Sequence, residues 1–209
     1  MSAPEPRASA ERHASLHSRA LGERHAGVRL SCGAMDIVQI AAGRGREPEL
    51  KRIAAGCGVQ LPARGRAVFA ADQLVLSVRP GRWLLLGSPG SPGASAQLWH
   101  KVCTGVGIVL DLSCALSALH LAGPAAREVL VRGCRLDLDP QAFPVGAAAA
   151  TIMAQVSVIL AALPSGVLLL TPSSTARHVH AWLAHAAQPF GLMPHTDFTV
   201  AALSGDQCS

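Results

Sequence analysis

His120-Leu121-Ala122-Gly123, running on to Gly133-Cys134-Arg135-Leu136-Asp137-Leu138-Asp139-Pro140, restates a plan already laid down earlier in the chain. The first statement opens at Ile40-Ala41-Ala42-Gly43 and closes at Gly56-Cys57-Gly58-Val59-Gln60-Leu61-Pro62. Each is followed by a paired apolar stretch ending in a leucine triplet, Leu84-Leu85-Leu86 and Leu168-Leu169-Leu170. Each triplet is followed by a helical run with one tryptophan: Trp99 lies 13 residues beyond Leu86, and Trp182 lies 12 beyond Leu170. A unit that recurs with its internal spacing intact predicts a duplicated architecture.

Working outward, Met35–Ala42 reads as a strand. Pro48–Gly56 reads as a helix, with proline in its first turn, Glu47 and Glu49 at the positive end and a closing glycine. Gln73–Val78 and Trp83–Gly87 flank Arg79-Pro80-Gly81-Arg82, whose central Pro-Gly is turn chemistry, so the two runs form a hairpin. Gly93–Thr104 reads as a helix, and Gly107–Leu112 and Ala115–Leu121 as strands. The second copy follows suit. A helix runs from Pro124 to Arg132 and strands cover Ala148–Gln155, Val156–Leu163 and Gly166–Leu170. A long helix capped by Ser173 or Ser174 runs to about Ala187, and Phe198–Leu203 closes as a strand. The plan is β-α-β-β-α-β twice over, antiparallel sheets with helices on one face, in the α+β class. The expected organisation is a flexible arm over 1–30 with a short helix around His13–Leu21, a first lobe over 31–112, a second over 113–203 and a tail over 204–209. The leucine triplets and both tryptophans read as core.

The 209 residues are 50% hydrophobic, 3% aromatic and 15% charged, with no tyrosine. The core therefore packs small aliphatic side chains, and a surface poor in charge suits burial against a partner. Nine of the 18 Lys and Arg lie in residues 1–52, together with six acids, which describes a solvated segment. No aromatic residues interleave with a basic face, so nucleic acid is not an expected partner. No run of about 18 apolar residues exists, so no membrane span is expected. The N-terminus lacks an apolar signal segment. Cys32, Cys57, Cys103, Cys114, Cys134 and Cys208 form no close pairs and sit mostly in apolar runs. They read as small hydrophobes in a reducing cytoplasm rather than as a zinc site or disulfide framework.

Candidate chemistry is thin. Asp111, Ser113 and His120 are the residue types of a hydrolase triad, but Ser113 lacks a nucleophile elbow, and Asp111 and Ser113 read as turn-formers. His178, His180 and His185 sit in the last helix; spacing of two puts the first pair on different faces, and all three read as solvent-facing. Asp137 and Asp139 would share a face of an extended segment, where acid–base chemistry or a turn would use them equally. Gly43-Arg44-Gly45-Arg46 lacks the third glycine and the strand-to-helix setting of a dinucleotide fingerprint and reads as a loop. The expectation is no catalytic, cofactor-binding or metal-binding residue on this chain.

The words Gly123-Pro124-Ala125-Ala126-Arg127-Glu128-Val129-Leu130, Gly133-Cys134-Arg135-Leu136-Asp137-Leu138-Asp139-Pro140 and Phe143-Pro144-Val145-Gly146, in that order, resemble the gamma subunit of heterotetrameric sarcosine oxidase. Ser15-Leu16-His17, Gly27-Val28-Arg29-Leu30, Gly58-Val59-Gln60-Leu61-Pro62, Trp83-Leu84-Leu85-Leu86-Gly87 and Ala181-Trp182-Leu183 extend the resemblance over roughly residues 15 to 190. It implies a fold related to the folate-binding domain of glycine-cleavage aminomethyltransferases. It also implies a chain without its own cofactor, in a complex whose larger subunits hold flavins, NAD and tetrahydrofolate and oxidatively demethylate sarcosine. Three departures stand out. Leu116 replaces a usual arginine after Asp111-Leu112-Ser113. Ala147 and Ala150 replace a usual arginine and glutamine after Phe143-Pro144-Val145-Gly146. Gly81-Arg82 replaces a usual acidic residue before Trp83.

The leading expectation is thus a non-catalytic subunit that docks on the large subunit, its apolar surface gaining about 25 cal/mol per Å² on burial. The alternatives are a subunit of a related amine or imino-acid oxidase, a stand-alone folate-binding one-carbon protein, and a homo-oligomer without ligand.

Overall fold

The computed structural model describes residues 27–70, 72–193 and 197–205. The expected helix at His13–Leu21 and the last four residues of the expected tail lie outside them. Strands are β1 (Val28–Gly33), β2 (Asp36–Ala42), β3 (Arg66–Ala70), β4 (Gln73–Arg79), β5 (Arg82–Gly87), β6 (Gly107–Asp111), β7 (Leu116–Ala122), β8 (Ala148–Met153), β9 (Val156–Leu163), β10 (Gly166–Pro172) and β11 (Leu192–Met193). Helices are α1 (Glu47–Gly56), α2 (Ala94–Val102), α3 (Ala126–Val131), α4 (Ala176–Ala187) and α5 (Val200–Leu203).

The strands form two sheets, in the orders β3-β4-β5-β2-β6 and β8-β9-β10-β7-β1-β11. Laid side by side, the orders match position for position, with β1 standing where β6 stands. Leu84 faces Gln39 across its sheet, as Leu168 faces His120 across the other. The duplication read from sequence is therefore a structural one, and the strands beyond those expected are Val28–Gly33, Arg66–Ala70 and Leu192–Met193. The closing strand of the second unit is also different. It comes from β1, near the start of the described chain, and not from residues 198–203.

Both faces of each sheet are covered, which is why the triplets are apolar at every position. Leu85 and Trp83 face α1 and α2 in one cluster, and Leu169 and Val167 face α3 and α4 in another. Leu84, Leu86, Leu168 and Leu170 meet in a third cluster between the sheets. The order of layers is helices, sheet, sheet, helices. Along one side the sheets are joined: Ala148 N–H donates to Gly65 O at 2.9 Å, and Ala67 N–H to Gly146 O at 2.9 Å.

Four local expectations are corrected. Phe198–Leu203 contains a helical turn, because Thr199 accepts the Ala202 N–H on its hydroxyl and Val200 and Leu203, three apart, share one buried face. Neither Ser173 nor Ser174 caps α4. A 3-10 turn spans Ser173–Thr175, Ser173 is hydrogen-bonded with Ser117, and the cap position is Thr175, with no side-chain cap bond. Ala154 and Gln155 are not strand: both hold positive φ, 48° and 66°, and make the two-residue turn between β8 and β9. The tryptophans are unequal. Trp99 is 3% exposed, whereas Trp182 is half-buried and lies against Gly133, where any side chain would strike its ring.

Candidate functional site

Asp111 and Ser113 do come together, but in a turn. The Ser113 N–H donates to Asp111 Oδ1 at 3.0 Å, and its hydroxyl lies 2.7 Å from the same oxygen and 2.9 Å from Asp36 Oδ1. The Ile37 N–H donates to Ser113 Oγ at 3.0 Å, and Ser95 bonds the other Asp36 oxygen. Ser113 thereby ties the β6–β7 connection to β2. Its two bonds to Asp111 hold that carboxyl below the usual range. The partners of the Ser113 hydroxyl are thus Asp36, Asp111 and the Ile37 N–H, and the imidazole of a hydrolase triad is not among them.

His120 is elsewhere in the arrangement. Its side chain faces the space between the sheets, is 7% exposed, and lies 3.2 Å from Ser165 Oγ with the Phe198 ring 5.5 Å away. Ser165 has one proton and gives it to Leu203 O at 2.9 Å, which leaves its oxygen to accept from His120 Nε2. Burial first, and the Arg29 charge second, push its pKa down to about 4.

Asp137 and Asp139 shape a loop: Asp139 N–H donates to Asp137 Oδ1 at 2.9 Å, and Gln141 N–H to Asp139 Oδ1 at 2.8 Å. Of the three helical histidines, His185 is exposed, His178 is bonded to Ala154 O at 3.1 Å, and His180 is half-buried in a cleft with Arg177 and Met35. The uniform solvent-facing reading is corrected for His180. Gly43–Arg46 does join a strand to a helix, contrary to expectation. What opposes an anion there is Glu47 and Glu49 in the first turn of α1, with Arg46 already bonded to Glu49 at 2.9 Å. Cys103 is buried, which raises its thiol pKa ahead of a smaller effect from Cys57, while Cys57 and Cys114 are exposed rather than apolar filling. Among the described residues no group of three His, Cys, Asp or Glu side chains could hold a metal ion. No described helix is long and apolar enough to cross a membrane.

Sequence reasoning missed the role of Arg127. Its Nη1 donates to Leu138 O at 2.5 Å and Phe143 O at 2.9 Å. One guanidinium inside the first of the recurrent words thus holds the backbone of the second and third. The signal was an arginine on a helix of six residues that is apolar apart from it and Glu128.

A groove of about 500 Å³ with a mainly apolar lining lies between the sheets. Leu84 and Leu112 line one wall, and Leu116, Ala150, Ile152 and Ile159 the other. Arg79 and Arg82, directly opposed across the β4–β5 hairpin and exposed, stand at its mouth. Neither belongs to an ion pair among the described residues. Three positions singled out in sequence, Arg82, Leu116 and Ala150, therefore share one groove; Ala147 does not line it and instead bridges Arg66.

Comparison with known proteins gives this surface its setting. The sarcosine oxidase gamma subunit family matches residues 47–188. A sarcosine oxidase subunit gamma of Corynebacterium sp. (strain P-1) is 35% identical over 146 residues, covering 68% of this chain and 71% of that one. Its counterpart in Arthrobacter sp. is 39% identical over 110 residues, and the match spans 52% of this chain and 54% of that relative's length. A chain of the heterotetrameric sarcosine oxidase from Corynebacterium sp. U-96, solved with pyrrole 2-carboxylate, superposes with a TM-score of 0.70 at 27% identity, over 84% of this chain and 93% of that one. The glycine cleavage system aminomethyltransferase T of Bartonella henselae superposes at 0.60 with 13% identity, over 89% of this chain and 52% of that one, which is a likeness of fold. With the family matched across most of its length, and with the three recurrent words held together by Arg127, this chain belongs to the sarcosine oxidase gamma subunit family.

Proposed function

We propose that this chain is the non-catalytic gamma subunit of a heterotetrameric sarcosine oxidase and stabilises it by docking on the largest subunit. In this reading the complex oxidises sarcosine, reducing oxygen to hydrogen peroxide. It transfers the resulting one-carbon unit to tetrahydrofolate and releases glycine. Flavins, NAD and tetrahydrofolate are held by the larger subunits, and the complex works in the cytoplasm.

The observation that carries the reading is the 35% identity over 146 residues to a gamma subunit, in a chain of the same fold. The side-chain chemistry supports a passive role. Ser113 is engaged by carboxylates, His120 is neutral and buried, and the paired aspartates each accept a backbone N–H in a loop. Exposed Leu98, Ile108, Leu110, Val131 and Val145 supply apolar surface for a partner.

The test is expression of the chain alone and together with the larger subunits encoded in the same genome. The expected outcome is a stable complex with sarcosine-dependent peroxide formation, and a lone chain with neither bound flavin nor turnover. A lone chain that holds flavin tightly, or that shows no affinity for the larger subunits, defeats the proposal.

A further inference from the structure

The two ends of the space between the sheets are related by the internal duplication, yet they are finished differently. At one end the chain seals itself. Phe198, Val200 and Leu203, on and beside α5, insert among the inter-sheet residues, with Phe198 against His120 and Leu203 O bonded by Ser165 on the β9–β10 turn. At the other end the matching positions are Gln39 for His120 and the Arg79–Arg82 hairpin for the β9–β10 turn. There no described segment of the chain inserts, and the groove of about 500 Å³ remains.

We infer that this groove receives a short apolar segment of a partner subunit, a counterpart of residues 198–203 carrying at least one carboxylate. The inference rests on the gamma-subunit reading. The apolar requirement follows from the walls, Leu84, Leu112, Leu116 and Ile159, which are of the same character as the surface that α5 covers. The carboxylate requirement follows from Arg79 and Arg82. Two like charges directly opposed across a hairpin repel, and neither has an ion-pair partner among the described residues. A carboxylate between them relieves the repulsion and matches guanidinium geometry. The apolar surface continues past the mouth. Ile152 on the rim is 40% exposed. Leu110 pairs with Gln39, so it points to the same face, and it is 47% exposed where its counterpart Ser31 is 8% exposed. A small organic carboxylate and a second copy of this chain are the competing occupants.

The experiment uses the complex co-expressed with its larger subunits. A photo-crosslinking amino acid is placed at Ile152, and at the exposed His185 on α4, which does not line the groove, as the control position; cross-linked peptides are then sequenced. The expected result is a cross-link from position 152 to a larger-subunit peptide that is apolar and contains Asp or Glu. The double variant R79E/R82E should lower affinity for the larger subunits by about tenfold or more while leaving the melting temperature of the lone chain unchanged. A cross-link to a second copy of this chain, no cross-link from position 152 in an assembled complex, or unchanged assembly of R79E/R82E overturns the groove assignment and leaves the gamma-subunit reading standing. Failure of the unmodified chain to assemble overturns both. Because the cross-link is read with both arginines in place, it decides the matter even if R79E/R82E folds poorly.

Discussion

The unit built around β2 to β6 and the unit built around β7 to β10 with β1 share a strand order, a leucine triplet and a tryptophan-bearing helix, but they treat their boundaries differently. The second unit is covered by its own chain: β11 pairs with the outer edge of β1, and α5 fills the inter-sheet space beside His120. In the first unit β6 pairs with β2 alone among the described strands, Ile108 and Leu110 stand exposed on it, and the corresponding space is a groove. Duplication supplies the scaffold. Divergence decides which half satisfies itself and which half is left for a neighbour.

That comparison can be broken in several places. The largest effect is expected at the tryptophans. Trp99→Ala should destabilise the chain by about 4 kcal/mol, because a fully buried ring leaves a cavity. Trp182→Ala should cost about 2 kcal/mol or less, since its ring is half-buried. Equal shifts in urea denaturation would remove this asymmetry between the units.

His120 distinguishes the sealed end by its pH response. Its folded pKa of about 4 lies below the ordinary 6.5, so on acidification the unfolded chain takes up the proton first. Stability is therefore lost as pH falls from 6.5 to about 4, and this residue's share approaches about 3 kcal/mol. In His120→Gln that share disappears. Denaturation curves at several pH values across this window should show the unmodified protein losing stability relative to His120→Gln as pH falls, and a difference independent of pH would show that burial of the imidazole contributes nothing.

Leu203→Ala should cost about 2 kcal/mol, at the low end for a buried leucine because α5 is a single turn near the end of the described chain. It should also expose the inter-sheet apolar surface at the sealed end. The check is a thermal melt with a hydrophobic dye. A melt and dye response identical to the unmodified protein would mean that α5 is not a plug. The smallest effect is expected at the β8–β9 turn. Replacing Ala154-Gln155 with Asn-Gly should stabilise the chain by about 1 kcal/mol, because both positions hold positive φ. A lower melting temperature would contradict that turn geometry.

Much of this was legible in the residues. Glycine, proline and apolar periodicity placed α1, the β4–β5 hairpin and β9–β10 close to their observed limits, because those signals act over a few neighbours. β3 was missed because Arg66-Ala67-Val68-Phe69-Ala70 is short, lies at the edge of its sheet, and alternates weakly. Residues 198–203 misled because alternating Phe198 and Val200 suggest a strand, whereas the Thr199 hydroxyl and the Val200–Leu203 spacing favour a turn of helix. The groove was not legible. Leu116, Ala150 and Arg82 lie far apart in the chain, and nothing local marks them as neighbours.

What the amino-acid order determined by itself is the repeated unit, the α+β class and the family, since each rests on short-range patterns that recur intact. What only the tertiary structure decided is which strand closes each sheet and which end of the inter-sheet space stays open. β1 completes the second unit from the opposite end of the chain, and the choice between α5 and empty groove depends on shape and burial summed over two sheets. Such long-range pairings are selected by the area they remove from water, a quantity that no local run of residues contains.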